Sequence, residues 1–188
     1  VVLGNKLGKD VLFNYIDKFG FGKKTGIDLN GESKGIIFPL DKVGPLELAT
    51  TSFGQGVSVT AMQQVLAVSS IINDGNMYTP YVMKSISERE TGLIIKETYP
   101  RLKKENLITK ETSNLVKYAL ESVVANGSGH NAYIEGYRIG GKTGTAQKVG
   151  SDGRYMIGNY ILSFIGFMPA NDPEYIVYIG VDGAKGAT

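Results

Sequence analysis

Apolar residues recur at helical spacing from the first residues onward: Leu3, Leu7, Val11, Leu12, Tyr15, Ile16 and Phe19 form one stripe that stops at Gly20. Gly8 falls inside this stripe, so the pattern predicts an amphipathic helix that breaks or restarts there. A second helix has clearer punctuation. Thr60 can cap it, Gln63 completes a capping box, Met62, Val65, Leu66, Ser69 and Ile72 share a face, and Gly75 ends the run. A third helix is predicted from Thr109, with Glu111 in its first turn, Leu115, Val116, Ala119, Leu120, Val123 and Val124 as apolar positions, and Gly127 as its end.

Elsewhere the period drops to two. Residues 78–87 and 93–98 read as two strands joined by a polar turn at 89–92, with Pro80 tolerable near the start of an edge strand. Three more strands are predicted at 137–147, 159–168 and 174–181. The loop at 169–173 has the length and residue types of an antiparallel hairpin, whereas the polar, glycine-bearing segment 148–158 predicts a mobile connection. Helices followed by consecutive strands imply an α+β domain, with helices packed on an antiparallel sheet. There are no internal repeats, linkers or low-complexity tracts.

A chain of 188 residues has the size of one domain and can bury a core. Its net charge of +2 comes from scattered lysines, which argues against a nucleic-acid footprint. Zero cysteines remove disulfides, zinc thiolate sites and thiol nucleophiles together, and leave the compartment open. His130, the single histidine, cannot build a multi-histidine metal site and sits in the polar loop 126–131, which predicts a surface position. No cofactor is expected. No apolar run approaches the roughly 18 residues that would span a bilayer, and no charged-then-apolar leader opens the chain. Val1 begins in mid-pattern, so a fragment is expected, with any membrane anchor outside it.

The candidate chemistry lies in a Lys-Thr-Gly tripeptide that occurs twice, at Lys24, Thr25, Gly26 and at Lys142, Thr143, Gly144. The first copy sits between Gly20, Gly22 and Gly31 in a stretch that reads as a loop leaving a helix, and no hydroxyl follows its glycine. The second is carried on a predicted strand after Gly140 and Gly141, where glycines let a ligand approach the backbone, and Thr145 follows it. The second copy is therefore the functional candidate. Together with S-x-x-K and S-x-N, this tripeptide marks penicillin-binding proteins and class A β-lactamases. Neither partner motif occurs in the chain. A rival reading is a nucleotide-binding P-loop, because Gly136 to Thr143 satisfies G-x-x-x-x-G-K-T and residues 175–182 form an apolar run ending in an acid. Such a loop must open a helix, and Gly144, Gly150 and Gly153 would make a poor one.

Further segments fall in one order along nearly the whole chain: Phe19-Gly20-Phe21-Gly22, Thr25-Gly26-Ile27-Asp28-Leu29, Ser52-Phe53-Gly54-Gln55-Gly56, Ser58-Val59-Thr60, Gly136-Tyr137-Arg138, Gly141 to Gln147, Phe164-Ile165-Gly166-Phe167-Met168-Pro169 and Ile179-Gly180-Val181-Asp182. In this order the chain resembles the transpeptidase domain of class B penicillin-binding proteins, the type that serves cell division or spore cortex formation. The resemblance implies the penicillin-binding transpeptidase / serine β-lactamase-like fold, truncated at both ends. Residues 1–188 would be a partial transpeptidase domain, with S-x-x-K and S-x-N before Val1 and a further strand or helix after Thr188 that closes the sheet.

The resemblance also implies the reaction. A serine splits a D-alanyl-D-alanine bond through an acyl-serine, an amine of a neighbouring peptidoglycan stem takes the acyl group, and β-lactams imitate the donor. Lys142, Thr143, Gly144 and Thr145 are the expected catalytic residues. The Lys142 ammonium beside the Thr143 and Thr145 hydroxyls would bind the donor carboxylate, and on a strand those two hydroxyls share a face. The backbone NH of Thr145 would form half of the oxyanion hole, completed by the NH of the serine outside the chain. Lys142 either assists proton transfer through the S-x-N serine or acts by its charge alone. Gln147 is expected at the rim as a substrate contact or a surface amide, and Ser52 to Gly56 either shape the cleft or form a glycine turn. The implied partners are stem peptides, β-lactams, the preceding part of the same chain and other cell-wall synthesis proteins, at the extracytoplasmic face of a bacterial membrane. A serine β-lactamase or D-alanyl-D-alanine carboxypeptidase shares the same wall, and a non-catalytic penicillin-recognition fragment is a further alternative. The segments 53–56 and 164–169 favour the transpeptidase.

Overall fold

In the computed structural model, which describes residues 1–150 and 154–184, the first apolar stripe forms two helices, α1 (Val2–Leu7) and α2 (Lys9–Lys18). Gly8 separates them with φ 80 and ψ 160, a conformation that glycine adopts without a Cβ penalty. α3 (Pro45–Thr51) was not among the predicted helices, although its signals are local: Pro45 occupies the first turn, and the Glu47 carboxylate accepts from Gly44 N at 2.9 Å. α4 (Ala61–Ile72) has the predicted reciprocal cap, with Gln63 N donating to Thr60 Oγ1 at 3.1 Å and Thr60 N donating to Gln63 Oε1 at 2.9 Å. α5 (Lys110–Asn126) starts where Thr109 Oγ1 accepts from Thr112 N at 3.1 Å.

The predicted pair of strands at 78–87 and 93–98 is corrected to four short ones: β1 (Met77–Thr79), β2 (Ser85–Ser87), β3 (Ile94–Glu97) and β4 (Arg101–Lys104). They form two separate antiparallel pairs, β1 with β4 and β2 with β3. The break after Thr79 has a physical cause. Pro80 has no NH, and Val82 N and Met83 N, two and three residues on, go to the Asp28 carboxylate at 2.8 and 2.9 Å in place of a neighbouring strand.

The main sheet is antiparallel with order β5-β6-β7, formed by β5 (Gly140–Val149), β6 (Tyr155–Met168) and β7 (Tyr175–Ala184). β5 begins three residues later than predicted, because Tyr137 N closes a turn on Ile134 O and Arg138 O accepts from Ala170 N instead of joining the ladder. The segment read as a mobile connection is mostly strand: Lys148 and Val149 end β5, Tyr155 to Gly158 begin β6, and Gly150 N donates to Arg154 O at 2.8 Å. Residues 151–153 of that segment lie outside the described residues.

One face of this sheet is packed by α4 and α5. Ile72 of α4, Phe167 of β6 and Ala170 are buried together, with Val68, Leu120 and Ile176 against them. Burying a side chain such as Phe167 contributes roughly 1.5 to 3 kcal/mol. Gly140 is required beside it, since a Cβ there would lie 2.4 Å from the Phe167 ring. On the opposite face Tyr175, Val177, Ile179 and Val181 alternate along β7, all at least half exposed. The α+β architecture, helices on an antiparallel sheet, is as the residue pattern predicts. Among the described residues no helix is long and apolar enough to cross a membrane.

Candidate active site

β5 lies at one edge of the main sheet and carries Lys142, Thr143, Gly144 and Thr145 in unbroken register with β6, paired to Ile165, Phe164, Ser163 and Leu162. Strict alternation puts Thr143 and Thr145 on one face and Lys142 on the other. The lysine stem spans that difference: Lys142 Nζ curls back to donate to Thr143 O at 2.9 Å and lies 3.4 Å from Thr143 Oγ1. The ammonium and the first hydroxyl therefore meet at the strand edge. Lys142 and Thr145 are exposed and Thr143 is half-buried, so the tetrad is open to a ligand.

The glycines of this strand are explained by their neighbours. A Cβ on Gly144 would lie 2.6 Å from Ser163 Oγ, and one on Gly141 would lie 2.5 Å from the Phe164 ring and 2.8 Å from Ile165 O. Side chains at either position would push the strand off the sheet that aims its hydroxyls. Gln147 comes to the same strand, but its Nε2 donates to Met156 O at 3.1 Å across the hairpin.

The loop at Ser52 to Gly56 is a turn in which Phe53 N and Gln55 N both donate to Thr50 O. It also borders a cavity of about 350 Å³ lined by Thr51, Gly54, Val57, Ala146, Ile161 and Ser163 among others, so the turn and β5 share one concave surface. Thr51 Oγ1 is buried there without a hydrogen-bond partner among the described residues.

The first Lys-Thr-Gly copy is consumed internally. Thr25 is buried, Thr25 N and Gly26 N donate to the Glu32 carboxylate at 2.6 and 3.2 Å, and the Thr25 hydroxyl donates to it as well. Burial opposes the charge of Glu32, yet these hydrogen bonds, with Lys24 nearby, outweigh it and hold the carboxyl below its ordinary value. Lys103 Nζ closes the loop from the other side, donating to Thr25 O at 2.6 Å, and burial pushes the Lys103 ammonium below the usual lysine range. This copy binds a carboxylate, but one from its own chain.

Two side chains near β5 carried no sequence signal for their role. Arg138 makes a bidentate pair with Glu121 of α5, 2.7 Å at each contact, and this hydrogen bonding to Arg138 holds the Glu121 carboxyl below its usual value. Ser128, just past the end of α5, accepts from Thr143 Oγ1 at 3.3 Å. Both contacts join residues 15 or 17 positions apart, beyond any helical or strand period. His130 is at the surface as predicted, with Nδ1 3.2 Å from Ala125 O and its ring stacked on Tyr133. The P-loop reading fails on the structure, because Lys142 is the third residue of a ten-residue strand and no helix follows it among the described residues.

The lysine, the two threonine hydroxyls and the glycine of β5 thus stand on an edge strand of an antiparallel sheet backed by helices. The chain belongs to the penicillin binding protein transpeptidase domain family, whose model matches residues 1–188. It is 59% identical over 186 residues to the stage V sporulation protein D of Bacillus subtilis (strain 168), a match that covers 99% of this chain and 28% of that protein. It is 34% identical over 172 residues to the peptidoglycan D,D-transpeptidase FtsI of Escherichia coli (strain K12), covering 91% of this chain and 27% of that protein. Among solved structures, penicillin binding protein 3 from Mycobacterium tuberculosis complexed with ampicillin superposes with a TM-score of 0.88 at 30% identity, covering 97% of this chain and 41% of that one. The chain thus spans less than a third of the length of these curated relatives.

Proposed function

We propose that the chain is the K-T-G-bearing part of a peptidoglycan D,D-transpeptidase, with residues 1–188 forming part of the transpeptidase domain and S-x-x-K and S-x-N lying before Val1. The observation that carries this reading is the exposed β5 edge, where Lys142 Nζ, Thr143 Oγ1 and Thr145 have no acidic partner among the described residues while the other Lys-Thr-Gly copy is spent on Glu32. The family and the names of the relatives support the reaction class. A serine attacks the D-alanyl-D-alanine carbonyl, D-alanine leaves with a proton, and a stem-peptide amine then takes the acyl group and returns a proton to the serine.

In this reaction the Lys142 ammonium and the hydroxyls of Thr143 and Thr145 receive the donor carboxylate through charge-assisted hydrogen bonds. Thr145 NH supplies half of the oxyanion hole, and a lost donor of this kind costs about 3 kcal/mol of transition-state stabilisation. Gln147 stands at the rim and reaches substrate by leaving Met156 O. β-Lactams take the same groups, as the ampicillin complex of the M. tuberculosis relative supports. The working protein acts at the extracytoplasmic face of the bacterial membrane on stem peptides, anchored by a segment outside this chain. No cofactor is required. A carboxypeptidase or β-lactamase would use the same wall with water as acceptor, and the names of the relatives favour the amine.

The test is acylation by a fluorescent penicillin in the full-length protein. Lys142→Ala should reduce the rate by at least tenfold, and Lys24→Ala should leave it nearly unchanged. Unaltered labelling by Lys142→Ala would overturn the assignment of β5, and loss of labelling by a folded Lys24→Ala would show that the first copy is the functional one.

A further inference from the structure

We propose that Ser128 is a positioning residue for Thr143, setting the hydroxyl that meets the donor carboxylate; this rests on the transpeptidase reading of β5. The place of Ser128 is built by α5, not by the strand it touches. Gly127 N and Gly129 N, on either side of it, both donate to Val123 O, at 3.0 and 3.1 Å. The fit is close: a Cβ on Gly127 would lie 3.0 Å from Val123 O, and one on Gly129 would lie 3.2 Å from it. Ser128 is thereby held at the tip of a small loop folded over the last turn of α5. The helix in turn is clamped to the approach of β5 by the bidentate Arg138 to Glu121 pair.

From that fixed point Ser128 Oγ accepts the proton of Thr143 Oγ1 at 3.3 Å, while Lys142 Nζ lies 3.4 Å from the same oxygen. A threonine hydroxyl has one proton and two lone pairs, so an acceptor on one side and an ammonium on the other select its rotamer. The contact is longer than the roughly 2.7 to 2.8 Å typical of O–H···O bonds, and so it gives way readily when a carboxylate offers a stronger acceptor. Ser128 thus presents Thr143 in the rotamer that faces an incoming carboxylate and releases the proton on its arrival. Without Ser128 the hydroxyl is free to turn to the Thr143 backbone or to water, and only ligands that bear the carboxylate are affected.

The experiment compares Ser128→Ala and Ser128→Thr in the full-length protein, measuring acylation by benzylpenicillin and by its methyl ester. Ser128→Ala should acylate about three- to tenfold more slowly with the free acid, the effect of losing one hydrogen bond. Its rate with the ester and its melting temperature should match the unmodified protein, and Ser128→Thr should restore the acid rate. A wild-type acid rate in Ser128→Ala, equal losses for acid and ester, or failure of threonine to restore the rate would each overturn the proposal. Lys142→Ala run alongside separates the two claims. If it abolishes acylation while Ser128→Ala is silent, only the role of Ser128 falls; if it is silent too, the reading of β5 falls with it.

Discussion

Glu32 and Asp28 each accept from backbone donors that no local pattern announces. Asp28 accepts from Met83 N and Val82 N, and these bonds hold its carboxyl below the ordinary value; Glu32 is held low by Thr25 and Gly26 despite its burial. A carboxyl whose pKa is depressed in the folded state contributes stability above its unfolded pKa, near 4, and that stability is lost as the pH falls through the lower folded value. The chain should therefore lose melting temperature as the pH drops below about 4. Glu32→Gln should be less stable at neutral pH and should show a flatter acid limb, measured by thermal unfolding from pH 7 downward. An unchanged acid limb in both Glu32→Gln and Asp28→Asn would mean that these bonds carry no net stability. The sequence distinguished the two Lys-Thr-Gly copies by context alone. That the first grips Glu32 depends on a loop closing over six or seven residues with two positive-φ glycines, Gly26 and Gly31, a geometry that spelling does not encode.

Helix ends were more legible than strand ends, because a cap is made by residues three apart whereas a ladder is made by partners far along the chain. Thr60 and Gln63 illustrate both halves of this. Their reciprocal cap is visible in the sequence, yet Gln63 Nε2 also donates to Lys23 O at 2.8 Å and Lys34 O at 2.9 Å, tying α4 to the loop that holds the first Lys-Thr-Gly copy. Gln63 is buried, so Gln63→Ala would lose the side-chain half of the capping box, leaving Thr60 N without its acceptor, and strand two carbonyls. The expected cost is about 2 to 3 kcal/mol, well above the roughly 1 kcal/mol of a cap alone. Chemical denaturation of the full-length protein checks this, and a loss no larger than that of Thr60→Ala would mean that the two long-range bonds contribute nothing. The same contrast explains the strands: β6 and β7 cover the predicted runs to within a residue, although both are longer, while the run at 78–87 is cut because Asp28, some 54 residues away, claims its donors.

At the scale of the molecule, one face of the main sheet is closed by α4 and α5, and the other presents an apolar row along β7. The chain contains neither S-x-x-K nor S-x-N, so the 188-residue chain by itself should form no covalent adduct with penicillin; intact-mass detection of a stoichiometric penicilloyl species would refute this. The sequence by itself determined the helices with local caps, the α+β class and the ordered motifs that point to the penicillin-binding family. These rest on periodicity and on neighbours a few residues apart. Only the tertiary structure decided that Ser128 stands against the Thr143 hydroxyl and that Gly144 lies beside Ser163. It alone set the four short strands as well. Each of these depends on which distant backbone or side chain fills a given point in space, and a hydrogen bond or a missing Cβ is chosen by that neighbour, not by adjacent residues in the chain.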